Sequence, residues 1–563
     1  MPSIPLWNGS VSSCASNLLA RVPMSSTTQL CLGSAFLGVF SHQAVYIRGE
    51  WHLRAPRLVQ GYSLVAAAIF GVQCRLGTDV VTSLARTGLI AGSYAAALFS
   101  SIIIYRRFFH RLRHFPGPPI ASLTKFWHVW KSRNGQNHLL LEQLHEKYGP
   151  VIRTGPEELT IIDPAVMPAV DGFRSECTKA VWYDMLHPTT ALNTTRDKPA
   201  HDARRRIWDR GFSPKALAAY EGRVQEYAVV LSSRIDELAR QGARVNVTDW
   251  FYWFTLDVMG EFAFGRSFDM LRDEEWHYAV QLLRKAMSLV GPFSPVPWLA
   301  QIGFKLLPGM IYVRDWFAMV KFCRGRMDER IQMKGDKPDV AHWLIQASLE
   351  QNSLQQDIDW LTGDALTLII AGSDTMAATL VLMFYELART PYHQELLLSE
   401  FRGINIADRH RLQYCAHLNA CLNETMRLHP TLMTGGYRQA PPQGITIGNT
   451  YIPGNTTIVS PRYSLGRLET SYEQATEWIP ERWTTRPELV KDNRGFSPFA
   501  LGRYNCVGKT VAMSEMRYIT ALLVTRFEVF FAPGETGQRL FEDLRDQFTA
   551  SPGRLELQFR RRE

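Results

Sequence analysis

The sequence has no Lys/Arg tract and no nucleic-acid-binding motif, which argues against DNA or RNA as a partner despite a net charge of +9. Its eight cysteines, at 14, 31, 74, 177, 323, 415, 421 and 506, fall in no paired zinc spacing and are too sparse for a disulfide framework. Such usage suits a catalytic part kept in a reducing compartment. No Gly-x-Gly-x-x-Gly follows a strand-like run, so the chain carries no nicotinamide or flavin fingerprint of its own. Internal repeats and low-complexity segments are also missing, which excludes solenoids and disordered scaffolds. The extreme N-terminus lacks the basic region of a cleavable signal peptide.

What is present is a chain of 563 residues, 46% hydrophobic and 20% charged, enough for a large core. Its basic balance favours acidic partners or anionic lipid. Three apolar runs, residues 30–47, 58–74 and 87–105, each approach the roughly 20 residues that cross a bilayer. Arg106, Arg107, Arg111 and Arg113 follow the third run, and Arg48, Arg54 and Arg57 separate the first two. Keeping both basic segments cytoplasmic predicts a membrane anchor over 30–105 with residues 1–29 lumenal. Asn8, in an Asn-Gly-Ser sequon, is then a glycosylation candidate. The alternative is one span, 87–105, with the earlier runs interfacial or packed as core.

Residues 106–119, ending in Phe115-Pro116-Gly117-Pro118-Pro119, read as a basic and Pro-rich hinge, and 120–563 as one catalytic domain. In that domain helical periodicity dominates. Strand-like pieces are short, at 151–154, 158–162, 445–452 and 527–531, so the prediction is a mainly α fold with small β-sheets. The aromatic run 250–254 reads as core.

Residues 496–517, FSPFALGRYNCVGKTVAMSEMR, hold the most informative chemistry. Cys506 stands just ahead of a helix predicted from 509 to about 524. The positive end of the helix dipole favours a thiolate there, and free N–H groups can bond the sulfur. Gly502 and Gly508 permit a tight loop. A single thiolate with no neighbouring Cys or His cannot build a tetrahedral zinc site, but it can be the one protein ligand of a porphyrin-held iron. The other reading of a lone cysteine is a buried core thiol.

The pattern F-x-x-G-x-x-x-C-x-G, carried by Phe499, Gly502, Cys506 and Gly508, resembles the heme-binding loop of the cytochrome P450 monooxygenases. The resemblance implies a cytochrome P450 fold preceded by transmembrane helices, with heme b ligated through its iron by Cys506 and contacted by Phe499 and Gly502. The family usually has Arg two residues before the cysteine, against a heme propionate; here Tyr504 stands there, with Arg503 one residue earlier as a substitute. His201 and Arg205 resemble a helical H-x-x-x-R that binds propionates, and Arg438 resembles a further donor. A central buried helix is predicted over 361–386. Its Ala371-Gly372-Ser373-Asp374-Thr375 resembles the oxygen-activation motif, which makes Asp374 and Thr375 the catalytic pair; the Ala-Gly step would let the helix approach the heme and loosen for dioxygen. Glu424 and Arg427, with Arg482 in Pro480-Glu481-Arg482-Trp483, match the family's structural E-x-x-R and P-E-R elements.

The activity implied is hydroxylation or epoxidation of a lipophilic small molecule with dioxygen. Electrons would come from NADPH through a separate cytochrome P450 reductase of the endoplasmic reticulum membrane, docking on basic residues such as Arg503 and Lys509. The chain would be a multi-pass membrane monomer with a cytosolic catalytic domain. Its anchor and its Gly-Arg-Tyr-Asn-Cys-Val-Gly-Lys loop are similar in style to fungal members from secondary-metabolite pathways. A heme-thiolate isomerase or dehydratase, and a membrane heme protein without turnover, are the competing readings.

Overall fold

A computed structural model describes residues 24–333 and 339–563, so Asn8 lies outside the described residues. The chain divides after Arg113 into two compact units.

Among the described residues of the first unit three α-helices follow one another: α1 (Met24–Phe40), α2 (Ala55–Arg75) and α3 (Val80–Ile104). Asp79 caps α3 by accepting from the Thr82 N–H (3.0 Å), so α3 begins seven residues before the predicted run and takes in Arg86. The segments 52–75 and 80–109 are long and apolar enough to cross a membrane. The first run forms only the 17 residues of α1 and a wider turn, Ser41–Tyr46. α1 packs on α3 where Gly38 lies under the Tyr94 carbonyl; an added Cβ would stand 2.5 Å from that oxygen. Close approach through small residues, with the Ser34 hydroxyl donating to the Ile90 carbonyl (2.7 Å), is how helices associate where water gives no driving force. The outward faces carry bare apolar side chains such as Phe36, Leu64 and Phe99.

The second unit is mainly helical. The elements that build the site are α4 (Lys198–Gly211), α5 (Val247–Phe264), α6 (Leu354–Arg389), α7 (Pro391–Phe401), α8 (Ala416–Leu428) and α9 (Lys509–Arg526). α6 runs 36 residues without a proline and stops before Pro391, which disfavours helical geometry in the residue ahead of it. It packs along α5, whose aromatic run Trp250–Phe254 is buried throughout. α8 has no capping side chain of its own. Glu400 of α7 instead accepts from the His417 and Leu418 N–H groups (2.8 and 2.9 Å), satisfying donors that a helix start leaves free.

The main sheet is formed by β1 (Val151–Gly155), β2 (Glu158–Ile161), β3 (Thr178–Lys179), β4 (Arg438–Gln439) and β5 (Thr457–Val459), in the order β1-β2-β5-β4-β3. The antiparallel register of β3 and β4 sets Lys179 opposite Arg438. Farther on come β6 (Phe527–Phe531) and the hairpin β7 (Arg545–Gln547) to β8 (Thr549–Ser551). The run 445–452 is not one strand but a hairpin, Ile445–Ile447 with Thr450–Ile452, because Gly448 turns at φ +56°.

The Pro-rich segment differs from the predicted hinge. The Arg153 N–H of β1 donates to the Pro116 carbonyl (2.6 Å), and Gly117 lies so close to the Arg153 carbonyl that a Cβ would stand 2.4 Å from it. Residues 114–119 are therefore packed as part of the second unit.

Candidate active site

Cys506 reaches its position through two constraints. Its N–H donates to the Phe499 carbonyl (2.8 Å), closing the loop, and Gly508 caps α9 without a side chain. The N–H groups of Gly508 and Lys509 are thus left to bond the sulfur, as the sequence implies. Burial nevertheless pushes the thiol above its ordinary value, against those N–H groups and the charge of Arg205. The two glycines differ. Gly502 has φ +54° and a Cβ there would lie 2.4 Å from the Asp171 carbonyl, so only glycine fits. A Cβ at Gly508 would meet only ordinary contacts, Phe212 at 3.8 Å and the Cys506 sulfur at 3.9 Å.

Cys506 opens into a cavity of 370 Å³. Phe499, His201, Arg205, Arg438, Thr375, Ala371 and Gly372 also border it. Of the seven described cysteines, 506 alone does so. The wall is otherwise largely apolar, with aromatic and thioether side chains such as Trp182, Phe212, Phe262, Phe548, Met185 and Met287 among aliphatic ones.

Three predicted site residues stand elsewhere. Arg503 does not line the cavity; it is exposed and pairs with Asp202. Gly502 supports the loop from behind. Asp374 turns off the cavity, and its carboxylate accepts from the Thr549 hydroxyl of β8 (3.1 Å). Burial raises its carboxyl to about 6. Thr549 does border the cavity, and nothing in the sequence pointed to it. Thr375 faces the cavity, but its hydroxyl donates to the Ala371 carbonyl (2.7 Å), the usual bond of a helix-interior threonine. Gly372 has a packing reason: a Cβ would sit 2.2 Å from Met259 Sδ on α5, and α6 stays regular through this point.

One edge of the cavity gathers positive charge. Lys179, Arg438 and Arg462 are all buried there, and the two arginines face one carboxylate, Asp171. Arg438 Nε donates to Asp171 Oδ1 (2.5 Å) and its Nη1 to the Tyr183 hydroxyl (3.1 Å), while Arg462 Nη1 donates to the Gly435 carbonyl (3.0 Å). Lys179 Nζ donates to the Leu192 carbonyl (2.9 Å) and lies against the rings of Tyr504 (5.1 Å) and Tyr183 (5.5 Å). Burial, then the neighbouring Arg438 charge, push the Lys179 ammonium well below its ordinary value. His201, edge-on to Tyr504 at 4.9 Å, is lowered to about 4 by burial and by Lys179. The Tyr504 hydroxyl and the Trp182 N–H are buried without a protein partner. Two buried guanidinium groups sharing one carboxylate, beside orphaned donors, favour an anionic ligand. Two carboxylates at the rim of a flat macrocycle fit that preference.

Behind the loop, Glu424 is fully buried. It accepts from Arg427 (Nε and Nη2, 2.8 Å each), Arg482 Nε (2.8 Å), Trp483 Nε1 (3.0 Å) and the Ile479 N–H (2.9 Å). Burial opposes ionisation, yet Arg427 and Arg482 hold the carboxyl below its ordinary value.

The cytochrome P450 family profile matches residues 116–559. The chain is a cytochrome P450. Similar proteins include cytochrome P450 monooxygenase FCK2 of Fusarium pseudograminearum (strain CS3096), 35% identical over 537 residues that cover 93% of this chain and 96% of that one. Cytochrome P450 monooxygenase notG' of Aspergillus versicolor is 36% identical over 549 residues, 96% and 100% of the two chains. Tryprostatin B 6-hydroxylase of Aspergillus fumigatus is 35% identical over 526 residues, 92% and 93%. This cytochrome P450 is thus an oxidoreductase of the type found in fungal secondary-metabolite pathways, a family that works through a heme with a cysteine thiolate on iron.

Proposed function

We propose that the cavity holds heme b with Cys506 as its thiolate ligand, and that the protein hydroxylates or epoxidises a bulky lipophilic small molecule. The observation that carries the ligand assignment is that Cys506 alone among the described cysteines opens into the cavity, with an excess of buried cations at one edge. When bound, the heme supplies dioxygen activation, promoted by electron donation from the thiolate. Lys179, Arg438 and Arg462, with the Tyr504 hydroxyl and the Trp182 N–H, would neutralise its propionates. Tyr504 and Lys179 take over from the arginine that the family usually places two residues before the cysteine, and Arg503 has no part in it. Glu424, Arg427 and Arg482 act structurally.

The catalytic pair becomes a trio. Asp374 would pass protons to the cavity through the Thr549 hydroxyl, while Thr375 offers its own hydroxyl at the wall. The largely apolar lining excludes water and orients an apolar substrate by shape. The relative named for hydroxylating tryprostatin B makes aromatic alkaloids a first panel to try. Electrons would come from NADPH through a reductase in the endoplasmic reticulum membrane, docking near exposed Lys509, with α2 and α3 as spans, 114–563 as the cytosolic catalytic part and the chain a monomer.

Membranes containing the protein and a reductase, fed such a panel, are expected to consume NADPH in a substrate-dependent way and to yield oxygenated product. Product without NADPH consumption would make the protein an isomerase or dehydratase instead. Cys506→Ala is expected to abolish the red-shifted band of the reduced carbon monoxide adduct; persistence of that band removes Cys506 as ligand.

A further inference from the structure

Away from the cavity, α7, α8 and the turn Pro480–Trp483 bring a second set of soft donors together. His393 of α7, with His417 and Cys421 of α8, offers one ligand atom each, all within 4.8 Å of one another. None of these residues borders the heme-sized cavity. His417 and Cys421 are four apart and share a helix face. Their backbone is held by Glu400, which accepts the His417 and Leu418 N–H groups. His393 Nδ1 stands 3.2 Å from His417 Nε2, the two rings lie within 14° of parallel, and Trp478 packs edge-on against His393 at 5.0 Å. Glu481 Oε1 lies 3.9 Å from the same His393 nitrogen.

We propose that His393, His417 and Cys421, with Glu481 as fourth donor, form a structural site for zinc or a divalent cation of similar softness. A hydrogen bond between the two imidazoles accounts for their distance but not for a thiol within 4.8 Å of both ring nitrogens, with a carboxylate 3.9 Å from one of them. Two imidazole nitrogens on one tetrahedral zinc, each bound at about 2.0–2.1 Å, lie about 3.3 Å apart, close to the spacing found. The set of one sulfur, two nitrogens and one oxygen suits zinc and disfavours magnesium or calcium, which take oxygen. Charge also balances: a dication against one thiolate and one carboxylate leaves the site neutral, as burial requires.

Cys421 binds the cation as a thiolate, so its proton is released to solvent on binding. Entry is from the side of half-buried His417 and the Glu481 side chain, which keeps 24% of its surface exposed. Glu424 follows Cys421 by three residues and Arg482 follows Glu481 by one, so the cation would tie together, from outside, the elements that carry the buried Glu424–Arg427–Arg482 cluster.

The test uses full-length, heme-loaded protein solubilised from membranes grown with zinc. Mass spectrometry is expected to find about one zinc per heme, and zinc-edge X-ray absorption one sulfur at about 2.3 Å with three nitrogen or oxygen neighbours. His417→Gln and Glu481→Gln, both partly exposed and tolerant of change, are expected to lower zinc content about tenfold or more while the reduced carbon monoxide band persists. Cys421→Ser is expected to do the same where it folds. Zinc no higher in the parent than in His417→Gln, or bound zinc without sulfur among its neighbours, overturns the proposal.

Discussion

Asp374 shows how one side chain can match a motif and still stand in an unforeseen place. On α6 it is next to Thr375, but its carboxyl meets Thr549 and not the cavity directly. If protons travel that way, Thr549→Val disconnects Asp374 from the cavity as effectively as Asp374→Asn. Both are expected to cut product formed per NADPH by about tenfold or more and to raise peroxide release. Peroxide and product counts measure this; a Thr549→Val enzyme coupled as tightly as the parent would return the task to Thr375 alone. Asp546 offers a simpler test of burial. It is 4% exposed, its partners are the Thr434 hydroxyl and the Phe548 N–H, and desolvation raises it from 3.8 to about 6. In acid below the unfolded value both states are protonated and this residue costs nothing. As pH rises toward 6 the unfolded chain loses the proton first, so stability falls, by about 3 kcal/mol once both states are ionised. Asp546→Asn is expected to lack that slope: its stability relative to the parent rises by about 2 kcal/mol between pH 4 and pH 7.5 in denaturant titrations.

Among elements, α6 carries two interior glycines that sequence alone treats alike. Gly372 faces the sulfur of Met259, a flexible side chain, whereas a Cβ on Gly363 would stand 2.1 Å from the Thr190 carbonyl. A thioether can swing aside; backbone cannot. Gly372→Ala is therefore expected to cost about 1 kcal/mol or less, part of the crowding being offset by the better helix propensity of alanine. Gly363→Ala is expected to cost about 3 kcal/mol, read as a lower Tm, and to disturb the cavity wall formed by residues after Thr190. Equal losses would mean that the helix, and not its neighbours, sets the price. The same contrast explains what was legible here. The core of α6, the start of α9 and the strands near 151 and 158 follow from local periodicity and punctuation, although α6 runs from 354 to 389 where 361–386 is predicted. The hairpin at 445–452 was missed because its turn rests on the single positive-φ Gly448.

For the molecule as a whole, division after Arg113 and the packing of Pro116 and Gly117 against β1 place the start of the catalytic unit earlier than its proline-rich composition implies. A chain beginning at His114 is expected to keep the reduced carbon monoxide band. One beginning at Ile120 loses the Pro116 bond to Arg153 and is expected to hold less heme and unfold at a lower temperature. Heme content per chain and thermal scans compare the two.

Sequence alone determined the family resemblance of the Cys506 loop, the apolar helices before the second unit, the buried Glu424/Arg427 pair and the placing of His201 and Arg205 on one helix. In each, the chemistry lies within one element or one loop, where spacing along the chain is spacing in space. Tertiary structure decided the rest. Strand register set Lys179 beside Arg438, helix phase turned Asp374 toward β8, and loop direction sent Arg503 outward to Asp202. Those outcomes depend on contacts between residues far apart in the chain, and local pattern carries no information about which of them will meet.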